Sequence, residues 1–214
     1  MLTQKNSSFS DLYNTFNGSP AIICGCGESL SELPQSCNCL TLGVNDCATV
    51  FCPDYLVVLN PLNSFPPERA SVIRSTSCKG IFSQFLLQDT YSPVIKIRLS
   101  RFSFSLPPKD YSVPYGLISP FTAICIAGFL GCNPIGFIGV DFTEYRLDVF
   151  TGNHHLFPLL DKIDKEFKLL RSTLLHYGIS LYNLSSVSRL QSVPYLSLFK
   201  FLDRKGFNQL SYSV

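Results

Sequence analysis

The sequence predicts an α/β fold of Rossmann-like type, with a mostly parallel sheet, helices on both faces and a small lid region. Three observations predict it. Short runs such as Ala21-Ile22-Ile23-Cys24 and Ile135-Gly136-Phe137-Ile138 are almost wholly apolar, as strands buried on both faces are. Each opens onto small or polar residues, Gly25-Cys26-Gly27-Glu28-Ser29 after the first and Gly139-Val140-Asp141-Phe142 after the second. Such residues at the carboxyl ends of parallel strands sit where open α/β sheets bind ligands. Hydrophobic residues make up 46% of the chain and charged residues 15%, a balance that suits a sheet covered on both sides.

Taken in order, residues 1–20 read as an arm ending in the turn-like Asn17-Gly18-Ser19-Pro20. A first strand over 21–24 leads into the glycine loop, a second over 39–44 ends at Asn45-Asp46, and a third over 55–59 ends at Asn60-Pro61. A short helix is expected over 68–74, then strands over 80–85 and 94–99. Residues 100–120, rich in Ser, Phe and Pro, read as a long irregular loop of the functional or disordered kind. Ser119 can cap the next helix with Pro120 at its first position, the helix running over 121–130 until Gly131 stops it. A central strand over 134–139 follows. The strongest amphipathic helix spans 159–177, where Leu160, Ile163, Phe167, Leu170 and Leu174 recur at steps of three and four and His176 and Gly178 mark its end. A last strand over 180–183 and a short helix around Val187 complete a domain over 21–190, and residues 191–214 form a tail packing on it.

At 214 residues the chain can build a full core without disulfide staples. A net charge of +2 points neither to an obligate nucleic-acid binder nor to an acidic tail, although a local basic groove is compatible with it. Met1 to Asn17 is polar and lacks the apolar segment of a signal peptide. With it, the nine cysteines read as free thiols in a reducing cytoplasm, packed as small hydrophobes. The alternative is metal binding by Cys24, Cys26, Cys37 and Cys39, but C-x-C pairs match zinc spacing poorly. The apolar stretch 117–142 is as long as a bilayer span, yet Pro120, Gly128, Gly131, Asn133 and Pro134 interrupt it, so a buried helix and strand are expected and no membrane span.

The chemistry-bearing residues cluster at strand ends. Gly25 and Gly27 let backbone amides approach a phosphate, with Ser29 as a further donor, although the loop lacks the lysine of a P-loop and the third glycine of the dinucleotide fingerprint. A tight strand-to-helix turn reads equally well. Asn45 and Asn60 carry amides that can read a ribose hydroxyl or a base edge, or simply form turns. Asp141 is a ribose ligand, a metal ligand, an orienting acid or a turn cap. His154 and His155, adjacent before the long helix, suit proton transfer near neutral pH or helix capping. Lys96, Arg98 and Arg101 form a short basic cluster of the kind usual on a solvated face.

In this order and spacing the segments resemble two related groups of bacterial proteins. One is the lipo-oligosaccharide sialyltransferases that use CMP-sialic acid. The other is the hydroxymethylpterin-diphosphokinase-like family, which includes flagellin glycosylation proteins. The resemblance lies in Ile22 to Leu30, Gly43-Val44-Asn45, Leu59-Asn60-Pro61, the helix and strand from Ser119 to Phe142, a histidine before a long helix, and Gly178 to Ser185, and it covers residues 21–190. It implies that Gly25, Gly27, Asn45, Asn60 and Ser119 hold a nucleotide and that His154 or His155 is the general base acting on an acceptor hydroxyl. Thr143 follows Phe142 directly where the sialyltransferases place tyrosine, with Tyr145 two residues further on, and Gly116 stands where they place arginine.

The expectation is a metal-independent glycosyltransferase using a nucleotide-sugar donor, of the CMP-sugar type. Tyr145 would hydrogen-bond the leaving phosphate, supplying charge stabilisation without a required cofactor. The acceptor is open among a glycan, a protein and a modified DNA base, and a homo-oligomer is compatible with the sequence. Two alternatives stand beside this reading. One is a diphosphokinase-type transferase with magnesium held by Asp46, Asp141 or Glu144; the other is a non-catalytic nucleotide-binding module.

Overall fold

Alternate side chains of a strand face opposite sides of a sheet, so a strand apolar at every position can feed two cores at once. In strand β1 (Ala21–Cys24), Ala21 and Ile23 enter one core while Ile22 and Cys24 enter the other, and all four are fully buried. The computed structural model describes residues 8–101, 103–143 and 156–203. Around β1 it places β2 (Leu40–Val44), β3 (Tyr55–Val57), β4 (Gly80–Ser83), β5 (Val94–Lys96), β8 (Ile135–Ile138) and β9 (Leu181–Asn183). A separate pair, β6 (Arg98–Ser100) and β7 (Ser112–Pro114), lies between β5 and β8 in the chain.

The main sheet has seven strands in the order β5-β4-β3-β2-β1-β8-β9, and every pairing is parallel. The chain builds outward from β1 in one direction and then returns to add β8 on its other side, pairing Ala21 with Ile135 and Cys24 with Ile138. The boundary between β1 and β8 is therefore the topological switch point of a doubly wound, Rossmann-like sheet.

Helices α2 (Ser119–Phe129) and α3 (Leu160–His176) cover one face. Ile163, Phe167, Leu170 and Leu174 of α3 turn inward, with Phe167 edge-on to Phe137 at 5.5 Å. Phe9 also enters this core, against Phe82 and Phe129. Helix α1 (Pro67–Ser75) and the short α4 (Leu198–Leu202) lie with the other core, through Ile73 and Phe201. Among the described residues no helix is long and apolar enough to cross a membrane.

The structure departs from the sequence reading at four places. The expected strand 94–99 is two strands in different sheets, broken at the buried Ile97. The expected irregular loop 100–120 contains β7, which gives β6 its partner. Ser119 is the first residue of α2 rather than its cap; Ile118 holds the cap position, with no side-chain hydrogen bond. Around Val187 there is a turn and no helix, because Ser185 and Ser188 hydroxyls accept the N–H groups of Val187 and Leu190 and satisfy the backbone locally.

Candidate functional site

A cavity of about 450 Å³ opens at the carboxyl end of the sheet, at the switch point. Its floor is made by strand ends: Gly25 to Gly27 beyond β1, Val44 at the end of β2 with Asn45 beyond it, Asn60 beyond β3, and Gly139 to Phe142 beyond β8. One wall is the entry to α1, with Ser64, Phe65, Pro66 and Arg69; the other is the start of α2, from Leu117 to Pro120. The volume is that of a small-molecule site.

The glycine loop is shaped by what lies beneath it. A Cβ on Gly25 would sit 2.1 Å from the Gly139 carbonyl oxygen, and one on Gly27 would sit 2.4 Å from Asp141 Oδ2. Both positions thus exclude any side chain, because the β1 and β8 ends press together. The Gly25 and Gly27 N–H groups donate to the carbonyls of Ile138 and Gly139, at 2.8 and 2.7 Å.

Ser29 and Asp141 lock the same junction. The Ser29 N–H donates to Asp141 Oδ2 at 2.9 Å, the Ser29 hydroxyl donates to Oδ1 at 2.7 Å, and the hydroxyl accepts the Gly139 N–H at 2.8 Å. Ser29 is 2% exposed and is not part of the cavity lining, so its hydroxyl is engaged inside the fold. Asp141 contributes to the cavity surface while both its carboxylate oxygens accept from Ser29.

Asn45 follows β2 in a left-handed turn, φ +52°, a conformation that asparagine tolerates better than most residues. Its Oδ1 is buried with no hydrogen-bond partner, an acceptor at the cavity wall that a ligand donor would satisfy. Ser119 opens α2, whose amino end borders the cavity and brings the positive end of the helix dipole to it. The α2 entrance is tied to α3 by Glu166, which accepts the Leu117 N–H at 2.9 Å.

One cation in the cavity wall carried no sequence signal. Arg69, in the first turn of α1, donates through Nε and Nη2 to Asp46 Oδ2 and Oδ1 at 2.9 and 2.5 Å. Its guanidinium also lies 5.6 Å from the centroid of Phe65. Asp46 is 1% exposed, so its carboxylate is withdrawn from water, while the Arg69 side chain stays 26% exposed. Cys26 borders the cavity too; burial, then the Asp46 charge, pushes its thiol up to about 12, against a smaller opposing pull from Arg69, so it is neutral.

Of the sequence-predicted residues, Gly25, Gly27, Asn45, Asn60, Ser119 and Asp141 thus converge on one cavity, with Ser29 directly beneath it. Tyr145, His154 and His155, and Glu144 of the alternative reading, lie outside the described residues. Phe142 and Leu156, which stand on either side of that segment in sequence, both line the cavity. The basic cluster is dispersed into local contacts: Arg98 donates to the Asp110 carbonyl and Arg101 to the Tyr115 hydroxyl at 2.7 Å. Of the cysteines weighed as metal ligands, Cys24 is buried in a core while Cys37 and Cys39 lie at the opposite end of the sheet.

Sheet order and switch-point cavity together define a Rossmann-like α/β domain with a polar site at the strand ends. Its fold is that of known glycosyltransferase structures. It matches the MAf glycosyltransferase from Magnetospirillum magneticum AMB-1 with a TM-score of 0.56 at 15% identity, over 89% of this chain and 37% of that one. It matches the sialyltransferase CstII from Campylobacter jejuni, solved with the substrate analogue cytidine-5'-monophosphate, with a TM-score of 0.52 at 18% identity, over 85% of this chain and 86% of that one. The chain thus spans little more than a third of the MAf protein and most of CstII. Neither structure is a diphosphokinase. No protein-family model matches the chain, and neither does any curated protein sequence.

Proposed function

We propose that this chain is a glycosyltransferase domain that takes a nucleotide-sugar donor of the CMP-sugar type in the switch-point cavity. The observation that carries the proposal is the convergence there of Gly25, Gly27, Asn45, Asn60 and Ser119 from four separate strand and helix ends. The fold shared with two glycosyltransferase structures, one of them solved with cytidine-5'-monophosphate, supports it.

In this reading the amino end of α2 faces the donor phosphate, the Gly25 and Gly27 N–H groups being engaged by the Ile138 and Gly139 carbonyls while the loop they shape leaves room for the ligand, and Asn45 and Asn60 hydrogen-bond the ribose or the base. Asp141 and Ser29 act beneath the site as the clasp that holds the loop in place. His154 or His155 removes the proton from the acceptor hydroxyl as the sugar is transferred, and Tyr145 donates a hydrogen bond to the departing phosphate. In the sequence both histidines stand within two residues of Leu156, which lines the cavity. In this reading hydrogen bonds and the α2 dipole stabilise the departing phosphate without a divalent cation.

Calorimetric titration with CMP, UDP, GDP and ATP, each with and without magnesium, tests the proposal. CMP should bind without magnesium. Asn45→Ala should weaken it about tenfold, the loss of one hydrogen bond worth about 1.4 kcal/mol. Replacing the catalytic histidine should abolish transfer and leave CMP affinity unchanged. Binding of ATP alone, and only with magnesium, would move the chain to phosphoryl transfer. Turnover that survives loss of both histidines would remove them from the mechanism.

A further inference from the structure

At the switch-point cavity the Asn45 Oδ1 is buried and accepts no hydrogen bond from the described residues. With no partner to fix that atom, the backbone on either side places it. Ahead of the side chain the support is the sheet: the Asn45 N–H donates to the Val57 carbonyl at 3.0 Å, and Val44 pairs with Val57. Asn45 itself stands at φ +52°, in the left-handed region. A residue with a side chain stays there only when its surroundings hold it, and such residues cluster at active sites and ligand clamps.

Behind Asn45 the support is Asp46. Its buried carboxylate accepts Nε and Nη2 of Arg69, and two parallel bonds to a planar guanidinium allow one relative orientation, where a lysine would make a point contact. The Asp46 carbonyl accepts the Thr49 N–H and hydroxyl at 3.0 and 2.9 Å, which fixes the turn that follows. Arg69 stands in the first turn of α1, against Phe65 at the entry to that helix. From the glycine loop the Cys26 sulfur approaches the Val44 carbonyl at 3.4 Å and Asp46 Oδ1 at 3.9 Å. One fork thus joins the end of β2, the entry to α1 and the glycine loop, three of the segments that line the cavity.

We propose that Asp46 and Arg69 are positioning residues for the nucleotide: their fork holds the Asn45 turn so that Oδ1 meets an N–H or O–H of the ligand without rearrangement. The proposal rests on the reading of this cavity as a nucleotide-sugar site. Arg69 then acts through Asn45 and not through a bond of its own to the ligand. An acceptor already in place loses no freedom when the ligand arrives. A turn released from the fork populates other conformations, and only the fraction still in the left-handed arrangement binds, which weakens the apparent affinity.

The test is a double-mutant cycle on the full chain, read as calorimetric affinity for CMP. Arg69→Met should weaken CMP binding by about as much as Asn45→Ala, about tenfold. In the Asn45→Ala background it should cost nothing more, so the double variant also stays about tenfold weaker than wild type. A residue that only stabilises the fold, or one that bonds the ligand directly, would cost the same in both backgrounds, and the losses would multiply to about a hundredfold. That result overturns the proposal, as does wild-type affinity in Arg69→Met. Because Arg69→Met leaves a buried carboxylate unpaired, Arg69→Lys, which keeps the charge and loses the fork, is put through the same cycle and judged by the same two results. If UDP, GDP or ATP binds the wild type in place of CMP, the CMP reading falls and the cycle is read with that nucleotide. If none of them binds, both the site reading and the positioning role fall.

Discussion

Ser29 donates its hydroxyl to Asp141, accepts the Gly139 N–H and donates its own N–H to the same carboxylate, so one side chain closes the β1–β8 junction. Ser29→Ala leaves a buried carboxylate oxygen and a buried N–H unpaired, and should cost about 1–3 kcal/mol in a urea unfolding experiment. Gly27→Ala forces a methyl group to 2.4 Å from Asp141 Oδ2 and should cost at least as much. Were Ser29 instead a phosphate donor, its removal would weaken nucleotide binding with little change in the urea midpoint; the clasp predicts the reverse. The G-x-G-x-S pattern revealed a tight loop and a site, but not which way Ser29 faces. That direction is set by Asp141, 112 residues away, and no local pattern carries it. Arg69 was illegible for the same reason. On sequence it is one charged residue in a short helix, and only the sheet order brings its helix turn to Asp46 and the cavity.

Among the elements, α3 was the most legible, because its inward residues repeat at helical spacing and its core partner is the sheet as a whole. Phe167 is fully buried between Phe121 and Phe137, whose ring centroids lie 6.2 and 5.5 Å away. Phe167→Ala should cost about 3–5 kcal/mol, while Leu169→Ala, at a position 66% exposed on the same helix, should shift the urea midpoint little. Equal losses at the two positions would mean that α3 packs in a different register. The apolar run 94–99 was misread as one strand because apolarity does not specify a partner. Val94 to Lys96 adds to the edge of the main sheet, whereas Arg98 to Ser100 pairs with residues 112–114 from a stretch whose prolines and serines suggest no strand. Around Val187 hydroxyl groups replaced a helix by a turn, and their effect depends on Val140, whose carbonyl accepts from Ser188 at 2.7 Å.

Across the whole molecule the two ends of the sheet have different work. The carboxyl end gathers the polar strand ends into the switch-point cavity; the amino end is pinned by Asp54, which ties the start of β2 to the start of β3 by accepting the Thr41 N–H and hydroxyl at 3.0 and 2.9 Å and the Lys79 ammonium at 2.7 Å. Burial disfavours the Asp54 charge, yet the Lys79 and Thr41 hydrogen bonds outweigh it and hold the carboxyl below its usual value. A carboxyl depressed in the folded state stabilises above its unfolded pKa, about 3.9, and that contribution disappears as pH falls through the lower folded value. Lys79 gives the alkaline counterpart. Its ammonium is raised, chiefly by the hydrogen bond to Asp54, so its contribution is complete below about 10.4 and is lost as pH rises through the raised value. Asp54→Asn should therefore lower stability by about 1–2 kcal/mol near pH 7. The gap from wild type should begin to close as pH falls below about 4, where the unfolded carboxyl takes up a proton, and go on closing as pH falls towards the lower folded value. Urea midpoints of both proteins between pH 3 and 7 measure this. A gap that stays constant across that range would mean that the Asp54 charge has no part in joining β2 to β3. Nucleotide affinity at the opposite end should be the same in both proteins at pH 7, since Asp54 contributes nothing to the lining of that cavity.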